Sequence, residues 1–262
     1  MIKKHSFRKP HRIKKKKSIF KSQLFWFGVL ILIIGSGIFY LIIFSPWFQI
    51  TEIQIERNRE ISVQKIKKVI QPLIEHQIGF WNTRSVFLAN FKEINNILLK
   101  EFSDIAQIEL KRKLPETLIV IIEERNPVAV FYHQNKRFLI DKEGIAFREI
   151  GEEQKANLLK IESLIGQQAL KKELVEQITE IERELKQKEI PITEAIIVST
   201  ERLNIKTLEG WEIYFNLKDD ISKQIFNLEV VIRERISPER RKNLQYIDLR
   251  FDKIFIYPRG NE

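Results

Sequence analysis

The chain has 262 residues, 44% hydrophobic and 31% charged, enough for one or two domains with real cores and too apolar for a disordered polymer. It contains no cysteine, which excludes disulfides, thiolate metal sites and a thiol nucleophile. The formal charge of +10 points first to nucleic acid. The ten basic residues from Lys3 to Lys21 carry all of that excess, and a neutral remainder is a poor match for phosphate contacts, so no nucleic-acid partner is expected.

Residues 1–23 read as a basic cytoplasmic tail. Residues 24–44, "LFWFGVLILIIGSGIFYLIIF", carry no charge. At the helical rise they reach roughly 30 Å, the thickness of a hydrocarbon core. Trp26 lies near one end, and Tyr40 and Trp47 near the other, as interfacial anchors do. Ser45-Pro46-Trp47-Phe48 is a poor cleavage site, so the run reads as an uncleaved signal anchor. The positive-inside rule then puts the tail in the cytoplasm and residues beyond about 46 outside it, a single-pass type II arrangement. The tail can also touch anionic lipid.

A first exported module is expected over 46–125. "FQITEIQIERN" reads as a strand and "ISVQKIKKVIQPLI" as a helix, capped by Ser62 and closed near Pro72. "SVFLANFKEINNILLKEF" sets Phe87, Phe91, Ile94 and Leu98 on one helical face. "IAQIELKRKLPETLIVIIEER" gives two strands around Leu114-Pro115-Glu116-Thr117. The predicted order is β-α-α-β-β.

This order just outside a signal anchor resembles a POTRA domain. "IELKRKLPETLIVIIEERNPVAVF" resembles the end of that module in the FtsQ/DivIB family of bacterial cell-division proteins. The matching residues are Leu114-Pro115-Glu116-Thr117-Leu118 and Glu124-Arg125-Asn126-Pro127-Val128-Ala129. Asp141 and Gly144 in "FLIDKEGIAF" match the family's Asp-x-x-Gly hairpin, and "YIDLRF" its penultimate strand. Read as structure, Gly144 supplies a positive-φ turn position, and Glu124-Arg125 a solvated pair.

A second module is expected over 126–262. "VAVFY", "RFLID" and "IAFREI" read as strands about the Asp141–Gly144 turn. "QQALKKELVEQITEIERELKQ" is an amphipathic helix with Leu170, Leu174, Ile178, Ile181 and Leu185 along one stripe. Strands follow at "EAIIVS", "LNIKTL" and "WEIYFNL", then the helix "DDISKQIFNLEVVIRERI", whose acidic start and basic end suit its dipole. The fold class expected is α+β: one transmembrane helix, the POTRA-like domain, then a mostly antiparallel sheet with flanking helices.

The chemistry of an enzyme is missing from the pattern. The four histidines, His5, His11, His76 and His133, lack metal-ligand spacing, and no P-loop, nucleophile elbow or dinucleotide fingerprint occurs. No catalytic residue, metal or cofactor is expected. The resemblance implies a scaffold that links division proteins across the envelope at the septum. Its implied partners are FtsB (DivIC in some bacteria), FtsL and, through them, the septal wall synthase. The alternatives are a POTRA-bearing accessory of protein translocation and an anchored envelope enzyme.

The expected binding surface is the last strand-like run, "YIDLRFDKIFIYPRG". Ile254 to Tyr257 should form a free sheet edge, with Tyr246 to Phe251 paired beside it and little chain left to cover it. Pro258 should stop the ladder. Main-chain groups of Lys253, Ile254, Phe255, Ile256 and Tyr257 would receive a partner strand. Phe251, Phe255 and Tyr257 are expected on one face as aromatic anchors, and Arg250 is expected to meet a partner carboxylate.

Overall fold

The computed structural model describes residues 22–151, 153–154, 157–166 and 169–258, and of Pro238 the backbone only. The basic tail up to residue 21 lies outside them, as do Gln167 and Gln168 at the start of one predicted helix. The described chain forms two compact units. One comprises 22–56, Val63–Asn95 and Leu110–Val120, the other Arg57–Ser62, Asn96–Glu109 and 121–258.

In chain order the first elements are α1 (Gln23–Phe44), β1 (Glu52–Glu56), α2 (Val63–Ile70), β2 (His76–Ile78), β3 (Trp81–Thr83), α3 (Phe91–Glu101), β4 (Ile105–Lys113) and β5 (Thr117–Glu124). α1 is long and apolar enough to cross a membrane, and its side chains are almost all exposed. β1, β5 and β4 form one sheet in that order, while β2 and β3 pair alone. The predicted β-α-α-β-β order is present, with a short hairpin added between the helices. Ile66 and Ile70 of α2 and Ile94 and Leu98 of α3 are buried, as their helical spacing requires. α3 starts at Phe91, later than its periodicity suggests, because Asn90 accepts from the Glu93 amide at 3.3 Å and caps it. Val86 and Ala89 are buried in the segment before it.

The later elements are β6 (Ala129–His133), β7 (Lys136–Ile140), β8 (Ala146–Ile150), β9 (Leu159–Ser163), α4 (Lys172–Gln187), β10 (Ile192–Ile197), β11 (Arg202–Thr207), β12 (Glu212–Asn216), α5 (Ile221–Arg235), α6 (Pro238–Arg241), β13 (Leu244–Asp248) and β14 (Phe255–Pro258). Nine strands make one sheet, ordered β14-β13-β12-β11-β10-β9-β6-β7-β8. Most neighbours are antiparallel, as expected. β6–β9, β9–β10 and β12–β13 are parallel. The last two of these joints are crossovers through α4 and α5, which a parallel connection needs.

These helices carry the core. Val175, Ile178, Ile181 and Leu185 of α4 and Ile225 and Leu228 of α5 pack with Ile161, Ala195, Ile205, Ile213, Phe215 and Ile247 of the sheet. Asp220 caps α5 by accepting from the Lys223 amide at 3.1 Å. A smaller cluster of Val130, Leu139, Phe147 and Ile150 forms at the β6–β8 end.

The two hairpin motifs of the sequence meet. Arg125 Nη1 reaches Asp141 Oδ2 at 2.5 Å, both side chains largely buried. The other Asp141 oxygen accepts from the amides of Glu143 and Ile145, each at 3.0 Å. Gly144 has φ of 79°, and a Cβ there would stand 2.3 Å from the Leu170 carbonyl oxygen, so no other residue fits. The expected solvated pair Glu124-Arg125 is instead two separate anchors. The Glu124 carboxylate accepts from the backbone amides of Arg59, Glu60 and Ile61 at 2.7–3.1 Å.

Candidate functional site

β14 lies at one end of the nine-stranded sheet, and its single strand neighbour among the described residues is β13. The pairing is antiparallel, with Tyr246 opposite Tyr257, Ile247 opposite Ile256 and Asp248 opposite Phe255. Alternation sorts the side chains. Ile254 and Ile256 turn inward and pack against the core, whereas Phe255 and Tyr257 are each 53% exposed. Pro258 ends the strand opposite Leu244. Lys253 and Asp252 are exposed in the bend before β14 and, with Glu234 and Arg235 of α5, line a groove of about 440 Å³.

Two expected details differ. The neighbouring strand stops at Asp248 and does not run to Phe251. The Asp248 carboxylate turns back on the chain, accepting from the Arg250 amide at 3.1 Å and from its guanidinium at 2.8 and 2.6 Å. Such a local side-chain to backbone bond competes with the strand ladder. Phe251 therefore sits in the bend and not on the strand, though it is 58% exposed and its ring meets that of Phe255 edge-on at 6.0 Å.

The same contact gives Arg250 a carboxylate from its own chain, Asp248, which is buried. Burial pushes the Asp248 carboxyl up, but the side-chain and backbone hydrogen bonds and the charge of Arg250, helped by Arg202, outweigh it and hold the group below its usual value. Hydrogen bonding to Asp248 holds the Arg250 guanidinium above its own usual value.

The structure adds residues that the sequence pattern did not single out. Tyr214 of β12 stacks on Tyr246 of β13 at 4.7 Å, and Tyr246 on Tyr257 of β14 at 5.1 Å. The guanidinium carbons of Arg202 and Arg250 stand 4.5 and 5.6 Å from the Tyr214 ring centre. Burial, together with Glu212, pushes the Tyr214 hydroxyl up. An aromatic ladder flanked by two cations thus leads to the open edge. Its Tyr246 and Tyr257 rungs come from consecutive strands, but Tyr214 comes from β12, brought beside β13 by the α5 crossover, so spacing alone offered no signal for that step.

Among the described residues no cluster of three His, Asp or Glu side chains could hold a metal ion.

Residues 129–250, nearly all of the nine-stranded sheet, match the family "Cell division protein FtsQ/DivIB, C-terminal". The match supports the FtsQ/DivIB family of cell-division proteins for this part of the chain. It is similar to "Cell division protein FtsQ" of Streptomyces bingchenggensis, 23% identical over 52% of this chain and 49% of the relative. It also resembles the proteins of that name from Rickettsia bellii, 32% identical over 32% of this chain and 31% of the relative, and from Rickettsia typhi, 31% identical over 37% and 33%. The chain therefore spans about half the length, or less, of these curated relatives. The FtsQ/DivIB match stops at Arg250, so Phe251 to Tyr257 lie just beyond it.

Proposed function

We propose that this chain is a single-pass division protein of the FtsQ/DivIB family whose work is binding. α1 crosses the cytoplasmic membrane, the basic tail stays inside, and the POTRA-like module and the nine-stranded sheet lie outside, at the septum. The open edge β14 receives a strand from an FtsB/DivIC-type partner, alongside an FtsL-type protein, and so couples indirectly to the septal wall synthase. The anchor contributes membrane lipid as a further contact.

The observation that carries this reading is β14 itself, an edge strand with no charged residue, in which half-buried Ile256 lies between exposed Phe255 and Tyr257. Unpaired N–H and C=O groups on such an edge supply affinity, and the outward Phe255 and Tyr257 supply selectivity. The Asp248–Arg250 pair on the neighbouring strand and bend braces that edge from behind.

With no native cysteine, Lys253→Cys and Phe255→Cys are clean crosslinking probes in full-length protein. Both should capture the FtsB/DivIC-type partner in cells. Absence of any such adduct, with unchanged partner binding by a folded Phe255→Lys variant, would exclude β14.

A further inference from the structure

The hairpin β2–β3 has its own pattern. His76 to Thr83, "HQIGFWNT", contains no Asp, Glu, Lys or Arg. Ile78 pairs with Trp81 across a two-residue turn in which Gly79 has φ of 60°, the positive value such turns require at this position. That turn carries Phe80 outward to 98% exposure, with Trp81 67% exposed behind it. The charges stand at the base, where Glu75 and Arg84 pair at 2.6 Å. An aromatic tip on a charge-paired base is costly in water and gains nothing from the core of its own unit.

The base of the hairpin is tied to the last turn of α1, directly and through Gln49. Thr83 Oγ1 donates to the Ile43 carbonyl at 2.5 Å, Ser85 Oγ to Ile42 at 2.9 Å, and Gln49 Nε2 to Ile43 at 3.0 Å. These bonds satisfy carbonyls that the helix end leaves without intrahelical partners. The Trp81 ring meets that of Phe44, the final residue of α1, at 6.0 Å. Thr83 is three residues from Phe80, so at about 3.3 Å per residue the tip stays within about 10 Å of the helix end. Trp47, one short turn after the helix, is 78% exposed on the same segment.

We infer that Phe80 and Trp81, with Trp47, lie in the headgroup region of the outer membrane–water interface, so that the hairpin is a second membrane contact beside α1. This rests on the reading of α1 as membrane-spanning. A helix that leaves the hydrocarbon near Phe44 brings with it whatever is bonded to its last carbonyls. Aromatic rings at that depth gain from being apolar on one side and hydrated on the other. Because the tip is uncharged, the contact does not depend on anionic lipid. The hairpin would help fix the height and tilt of its unit above the bilayer by adding a second point of contact to the helix exit.

The test uses the full chain in phosphatidylcholine vesicles at low protein-to-lipid ratio, spin-labelled at one introduced cysteine at a time: Phe80→Cys, Ile34→Cys within α1, or Ser222→Cys, an exposed position on α5. Collision with oxygen and with a water-soluble nickel chelate reports depth. Ile34 should read as hydrocarbon. Phe80 should read as interfacial, with nickel access several-fold below that of Ser222 and unchanged by salt. Ile34 in hydrocarbon with Phe80 as wet as Ser222 would overturn the hairpin inference and leave the spanning helix intact. A wet Ile34 would overturn the spanning reading and this inference with it.

Discussion

At one end of the nine-stranded sheet β14 presents Phe255, Ile256, Tyr257 and Pro258; at the other, β8 presents Ala146, Phe147, Arg148, Glu149 and Ile150. Both are edges, and both would template a foreign strand if left plain. β8 carries charge, and each charge is already engaged. Glu149 pairs with Lys136 at 3.0 Å, and Arg148 with Glu60 at 2.7 Å and Asp104 at 3.1 Å. β14 has no such guard, and its ion pair, Asp248–Arg250, stands behind it on the neighbouring strand and bend. Charge within the edge discourages pairing, whereas charge behind it braces the edge and leaves the main chain open. This contrast, and not exposure alone, is why the binding role is assigned to β14.

The largest effect should come from removing each brace. Asp248→Ala leaves the half-buried Arg250 guanidinium without its acceptor and should cost about 2–3 kcal/mol. Glu149→Ala on β8 breaks a pair whose side chains are both more than half exposed, and should change stability by no more than about 0.5 kcal/mol. Urea unfolding of the two variants checks both. Equal losses would mean that the ends of the sheet are braced alike.

Next come two substitutions to lysine, an insertion of charge on β14 and a reversal of charge on β8. Phe255→Lys should weaken partner binding about tenfold or more, some 1.4 kcal/mol, because it guards the open edge. Glu149→Lys should leave partner binding unchanged. Titration of the partner ectodomain against each variant decides it, and a loss with Glu149→Lys alone would transfer the site to β8.

Much of the β14 end was legible in the sequence. Alternation from Ile254 to Tyr257 and the proline after it define an edge strand by local chemistry, and the structure has the same in-and-out order. The Asp141-x-x-Gly144 turn was legible for the same reason, since a positive-φ glycine is a local demand. Most of what was missed is non-local or short. The Tyr214–Tyr246–Tyr257 ladder depends on a parallel joint made through α5. The β2–β3 hairpin is too short to show a period, since β2 and β3 have three residues each; β9 was missed although it is as long as β6. The end of β13 turns on a hydrogen bond from Arg250 to Asp248, and β propensity alone does not reveal it.

A smaller change should appear with pH. The Asp248 carboxyl lies below its ordinary value of about 3.9, so its contribution is complete above that pH and is lost as pH falls through the lowered folded value. The stability gap between the native chain and Asp248→Asn should therefore be widest near neutrality and narrow in acid. Urea midpoints of both proteins from pH 7 down to pH 3 measure it, and a constant gap would show that the charge on Asp248 is not what braces the β14 end.

The smallest effect separates bracing from anchoring within β14. Tyr257 lies flat against Tyr246, the ring planes 1° apart, and still keeps 53% of its surface exposed. Leucine at 257 keeps an apolar side chain but removes the stack, so Tyr257→Leu should cost about 0.5–1 kcal/mol of stability. At the other end Phe147 is buried with Val130, Leu139 and Ile150, so Phe147→Leu should cost about 1 kcal/mol through lost packing and should leave partner binding unchanged. If Tyr257 only braces its own strand, Tyr257→Leu will behave like Phe147→Leu, with reduced stability and full binding. If it is also an anchor for the incoming strand, binding will weaken by more than the fraction of unfolded protein explains. Measuring both quantities on both variants shows whether the ladder ends at Tyr257 or continues into the partner.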